Sequence, residues 1–126
     1  MKIENIKFKA KRLDNGEWVE GDLNHSTSYV GIGYPSSAFP DVPIVHRVDP
    51  SSVCMFTGLR DCKGKEIFEH DLIHFVGHKP IGEVIWSEED YAFMVAASEN
   101  EPLYLLSDVL QIGKIERVGN KFDKKK

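Results

Sequence analysis

The chain has 126 residues and 14.3 kDa, with a formal charge of −4, 41% hydrophobic residues and 29% charged ones. Such a chain fits one domain of ordinary globular composition, able to bury a core without metals or disulfides. A net negative chain lacks the overall positive field that attracts phosphate backbones non-specifically.

The two cysteines, Cys54 and Cys62, form no CxxC pair and specify neither a disulfide framework nor a zinc ribbon. Reduced thiols are the expectation, with no cofactor and no metal. The N-terminal Met1-Lys2-Ile3-Glu4-Asn5 carries no apolar leader, and no apolar run approaches the roughly 20 residues of a membrane span. These features lead to the expectation of a cytoplasmic protein.

Short apolar runs separated by Gly, Pro, Asn and Asp, with no window of helical period, predict a mostly β fold. Ile6 to Leu13 and Glu17 to Leu23 read as a hairpin around Asn15-Gly16, because Gly, and often Asn, accepts the positive φ of tight turns. In the first strand Phe8 and Ala10 share one face. Lys7, Lys9 and Lys11 share the other, which alternation places in water.

Asn24 to Pro50 is rich in Ser, Gly and Pro, which excludes a helix. It carries β-prone pieces at Ser28 to Ile32 and Pro43 to Val48, and a long loop is expected around Tyr34 to Asp41. Ser51 to Phe56 then leads through Thr57-Gly58-Leu59 into the turn Asp61-Cys62-Lys63-Gly64-Lys65, where Gly64 suits a left-handed conformation.

Leu72 to Val76, Gly82 to Trp86 and Tyr91 to Val95 read as a meander, linked by Gly77-His78-Lys79-Pro80 and by Ser87-Glu88-Glu89-Asp90. After a polar loop at Ser98 to Pro102 comes Leu103 to Leu106. Ser107 to Leu110 follows as one helical turn, and Ile112 to Val118 as a last strand. That order predicts a small, SH3-like, partly open barrel over the C-terminal two-thirds, preceded by the N-terminal hairpin and the Gly/Pro-rich loop. One domain is thus expected over residues 1–126, with hairpin and loop at 1–50, barrel-like core at 51–120 and a basic tail at 121–126.

The run from Thr57-Gly58-Leu59 through Asp61, Gly64 and Ile67 to Glu69-His70-Asp71-Leu72-Ile73 resembles the signature of the YopX family of phage and prophage proteins. Gly82-Glu83-Val84-Ile85-Trp86 and Ile115-Glu116-Arg117-Val118-Gly119-Asn120 are similar to two further motifs of that family, in the same order. With the strand from Trp18 to Leu23, the resemblance reaches nearly the whole chain, with Asn24 to Asp49 and the lysine tail only loosely matched. His70 departs from it, standing where the family usually has Gly. The resemblance implies a β-rich fold, a phage or prophage setting and no assigned activity, so it carries no catalytic residue onto this chain.

His70, His74 and His78 are spaced by four, a metal-ligand spacing on a helix. Gly77 and Pro80 interrupt a helix, and a strand spreads such residues about 13 Å per four steps, so capping or solvent-facing histidines are expected. Asp61 and Asp71 read as carboxylates that accept backbone N–H bonds in a turn and at a strand entrance. Trp18, Phe75, Trp86 and Phe93 read as core.

For function, the expectation is a non-enzymatic module that binds another protein, or itself, through sheet edges and the Asn24 to Pro50 loop. Tyr34 and Phe39, in that loop, are the candidate contact residues. The alternative is a nucleic-acid-binding barrel whose basic stripe is Lys7, Lys9, Lys11 and Arg12. A third is an enzyme in which His46, Asp61, Glu69, His70 and Asp71 converge in a cleft.

Overall fold

The computed structural model describes residues 2–26, 28–76, 82–97 and 102–123. Eleven strands and one α-helix are found among them. The chain divides into two compact units, Met1–Phe56 and Thr57–Lys126.

In the N-terminal unit, β1 (Phe8–Lys11) and β2 (Trp18–His25) form the expected hairpin, with Phe8 opposite Gly21 and Lys11 opposite Trp18. Gly16 takes the left-handed φ of +70° that the turn requires. The second half of β2 pairs with β3 (Val30–Pro35), and β3 pairs with β4 (Pro43–Arg47). At the bend of β2, Gly21 has φ +159°, and a Cβ there would collide with the Gly33 carbonyl. A short 3-10 turn, Pro50–Ser52, is capped by the Asp49 carboxylate, which accepts from Ser51 N at 3.0 Å. It leads into β5 (Cys54–Arg60), whose first residues pair with β1. Ala10, Val19, Ile32 and Val48 form this unit's core, with Phe8, Val30, Tyr34 and Val53 packed against it.

The expected long loop is therefore shorter, because Tyr34 and Pro35 belong to β3. Glycines are poor strand formers, yet Gly31 and Gly33 are accommodated because Val45 leans across them. A Cβ on either would come within 2.9 Å and 3.3 Å of its methyl groups.

In the C-terminal unit, the second half of β5 pairs with β6 (Glu66–Phe68). A separate five-stranded antiparallel sheet is built from β7 (Asp71–Phe75), β8 (Gly82–Ser87), β9 (Ala92–Ala96), β10 (Tyr104–Leu105) and β11 (Ile115–Asn120). Its order is β10-β9-β8-β7-β11, so the meander is present and the last strand returns beside β7. Ile67, Ile73, Val84, Val95, Leu106, Val109 and Ile115 make its core.

The mostly β expectation holds, but the strands do not close into a barrel. The sheet ends at β10, only two residues long, and at β11, and the structure consists of two antiparallel sheets that do not close. The helix is also longer than the one turn expected. α1 (Leu106–Ile112) has Leu105 at its N-cap without a side-chain cap bond, and takes Ile112 from the strand forecast there. Burial of Leu106 and Val109, rather than capping by Ser107 or Asp108, accounts for its position. The turn expected at Gly77 to Pro80, most of the loop at Ser98 to Pro102, His78 and Lys124 to Lys126 lie outside the described residues.

Two aromatics expected in the core are exposed: Phe75, and Trp86, which packs edge to face on Phe93 at 5.1 Å. Phe93 itself packs against the C-terminal core, and Trp18 is half-buried.

Candidate functional site: a carboxylate network and an exposed apolar loop

The resemblance motifs concentrate in the C-terminal unit, where each polar member has a local reason to be what it is. The Thr57 hydroxyl donates to Ile67 O at 2.7 Å and accepts from Leu59 N at 3.2 Å. Gly58 follows with φ +82°, a conformation costly for a side-chain-bearing residue. Asp61 Oδ1 accepts from Lys63 N and Lys65 N, both at 2.9 Å, and its Oδ2 accepts from Arg117 N at 2.8 Å. Burial pushes the Asp61 carboxyl up, but these three backbone donors outweigh it and hold its pKa below the usual aspartate value. Gly64 takes the expected left-handed φ, +83°.

Asp71 is fully buried, at 0% exposure. Its Oδ2 accepts from Phe68 N at 2.7 Å, its Oδ1 accepts from Asn120 Nδ2 at 2.8 Å, and Arg117 Nε lies 2.9 Å from Oδ2. That last contact is an ion pair off the angle of a hydrogen bond. Asn120 Oδ1 in turn accepts from Phe122 N, and Asn120 N donates to Asp123.

His70, the departure from the family pattern, keeps the left-handed bend with φ +69°. Its N–H donates to Val84 O and its carbonyl accepts from Lys121 N. The ring sits 2.9 Å from Glu83 Oε2 through Nδ1, 3.8 Å from Glu69 through Nε2, and edge-on to Phe122. Those contacts hold a side chain at a position where glycine would be unstrained.

Of the other histidines, His74 lies 3.8 Å from Glu116, and His46, in the N-terminal unit, shares a 3.1 Å hydrogen bond with the Tyr34 hydroxyl. Lys63 and Glu116 are 2.5 Å apart, which raises the lysine's pKa and lowers the glutamate's, each chiefly through their mutual hydrogen bond. No group of three or more His, Cys, Asp or Glu that could hold a metal comes together among the described residues.

The basic stripe is not the solvent-facing row that alternation suggests. Lys9 is only 7% exposed, with its ammonium 4.6 Å from the Trp18 ring centroid, and Lys11 stands at the same distance. Lys7 lies over Phe56 and 3.6 Å from Glu20, and Arg12 is paired with Asp14 through two hydrogen bonds. Trp18, the first residue of the facing strand, gives these lysines a partner that period-2 patterning alone does not register.

Two sheet edges are also largely occupied. At β11, Ile115 O accepts from Cys62 N and Arg117 N is taken by Asp61. At β4, Pro43 has no N–H and Arg47 O accepts from Leu13 N.

The N-terminal unit also exposes apolar side chains in one turn. Phe39 and Val42, in the turn between β3 and β4, are 69% and 60% exposed, and on β4 Ile44 and Val45, which face opposite sides of the strand, are partly exposed. Tyr34 is half-buried against the N-terminal core. A cavity of about 550 Å³ opens here, lined among others by Asp22, Tyr34, Pro35, Pro40, Pro43 and Val45. The C-terminal unit carries a smaller cavity of about 290 Å³, lined mainly by core aliphatics with His74 and Tyr104.

Taken together, the open antiparallel sheets, carboxylates held by internal donors and an exposed apolar turn define a small two-unit β protein. Among the described residues, no helix is long and apolar enough to cross a membrane. The model of the YopX protein family matches residues 3–125, and the chain belongs to that family. No curated protein matches the chain.

Proposed function

We propose that the chain is a non-enzymatic interaction module of phage or prophage origin, acting in the cytoplasm of the host cell. Its contact surface is the apolar turn between β3 and β4. The observation that carries this reading is the exposure of Phe39 and Val42 within one turn, where Val42 N donates to Phe39 O. Contiguous apolar side chains on a surface turn mark a protein contact more often than an accident of folding. The carboxylates support the same reading from the other side. Asp61 and Asp71 have their oxygens engaged by backbone N–H groups, Asn120 and Arg117, which suits fold-holding rather than proton transfer.

The test is co-purification from prophage-bearing cells together with light scattering, for the natural chain and for the double variant Phe39→Ser, Val42→Ser. The natural chain is expected to retain a partner or to self-associate. The double variant should lose that association with its thermal unfolding unchanged. A monomer that retains nothing, or a double variant that associates as well as the natural chain, overturns the reading.

A further inference from the structure

The cavity beside the exposed turn has a specific chemistry. In the antiparallel register, Asp22 on β2 stands opposite Gly33 on β3, and Gly33 stands opposite Val45 on β4. The three therefore form one row across the sheet on one face. Gly33 has no side chain, so Val45 leans over it, and the row sets a carboxylate on one side of the glycine against an isopropyl group on the other. The next row on this face pairs Pro35 with Pro43, and Pro40 closes the cavity from the turn. Prolines hold their φ fixed, so this wall is formed before anything binds.

The lining includes no lysine and no arginine, and Asp22 is its one residue charged at neutral pH; His25 is the other titratable group. A trough of about 550 Å³ in which Val45 and three prolines stand beside polar side chains and a single carboxylate is matched by an apolar side chain next to a cation.

We infer that the Asp22, Gly33, Val45 trough receives a segment of a partner protein that presents an arginine or lysine beside an aliphatic residue, the cation meeting Asp22 and the aliphatic group packing on Val45 and the proline wall. This rests on the interaction-module reading and gives its surface a polarity: apolar contacts at Phe39 and Val42, a cation at Asp22.

The test uses the purified full chain, labelled with nitrogen-15 and titrated with acetyl-Leu-Arg-Leu-amide and, separately, with acetyl-Leu-Glu-Leu-amide. The arginine peptide should give saturable shifts of the Asp22, Gly33 and Val45 amides, and the glutamate peptide should bind at least tenfold more weakly. Asp22→Asn should weaken the arginine peptide about tenfold. Gly33→Ala places a methyl in the floor of the trough, where it meets Val45 at 3.3 Å, and should weaken both peptides. For each variant, spectra unchanged outside the trough establish that the fold is kept. Absence of saturable shifts, equal responses to the two peptides, or full affinity in both variants overturns the inference. The titration needs no natural partner, so its failure is separable from a failure of the co-purification experiment. A chain that keeps its partner through Phe39 and Val42 yet ignores the peptide refutes the trough alone.

Discussion

Asp71 and Asn120, 49 residues apart in sequence, meet in the interior through a 2.8 Å hydrogen bond from the asparagine amide to a carboxylate with no solvent exposure. Asp71 opens β7 and Asn120 ends β11, its neighbour in the sheet, so one contact fixes the register at that end of the pair. A buried carboxylate is costly unless donors and an opposite charge surround it, and here Phe68 N and Asn120 donate while the Arg117 guanidinium supplies the charge. The family pattern's Asp at the strand entrance and Asn at the close are two halves of one clasp.

His70 provides a clean measurement of backbone strain. His70→Gly and His70→Ala both delete the contact to Glu83, so their difference isolates the cost of a φ of +69° in a residue with a Cβ. The glycine variant should be the more stable by about 1 kcal/mol in urea denaturation. Equal stabilities would mean that the bend relaxes when the ring is gone.

Asp61 sets a dependence on acid. Its folded pKa lies below the unfolded value of roughly 3.9, so its stabilisation is fully present above that value and is lost as pH falls through the folded pKa. Asp61→Asn should cost about 1–3 kcal/mol at neutral pH by weakening the bonds from Lys63 N, Lys65 N and Arg117 N. The variant should also lose part of the decline in stability below about pH 4. Urea midpoints of both chains between neutral pH and acid check this, and an unchanged slope in the variant would count against it.

The sequence makes the local features readable. Asn15-Gly16, the meander, the turn at Gly64 and the backbone-capping roles of Asp61 and Asp71 follow from period-2 patterning and turn chemistry, which act within a few residues. Legibility stops where partners are distant in sequence. Nothing near Asp61 announces Arg117 N, and nothing near Asp71 announces Asn120. Phe75 and Trp86 read as core because bulk suggests burial, whereas a strand end and a ring stacked on Phe93 leave them partly in water. The β3–β4 pair was legible in part, as β-prone pieces at Ser28 to Ile32 and Pro43 to Val48, but the run of β3 on through Gly33 to Pro35 was not, because it depends on Val45 covering Gly31 and Gly33. Barrel closure was beyond reach because an order of strands does not specify which edges meet.

The lysines of β1 bear on the nucleic-acid alternative. With Lys9 and Lys11 directed at Trp18, Lys7 at Glu20 and Arg12 paired to Asp14, few cations stay available to phosphates. Titration with single-stranded DNA at low salt should give no saturable signal. Tight binding with a steep salt dependence would restore that alternative. In the same protein, Lys9→Met should lower stability by about 0.5–2 kcal/mol and change the Trp18 fluorescence.

The most direct test of the claim that the family signature holds the fold is a double-mutant cycle in urea on Asp71→Ala and Asn120→Ala. Each single variant should lose about 2–5 kcal/mol, and the double should lose less than their sum, with a coupling of about 1–3 kcal/mol. Additive losses, or a folded Asp71→Ala chain of unchanged stability, would contradict the account and return Asp71 to the list of groups free for chemistry.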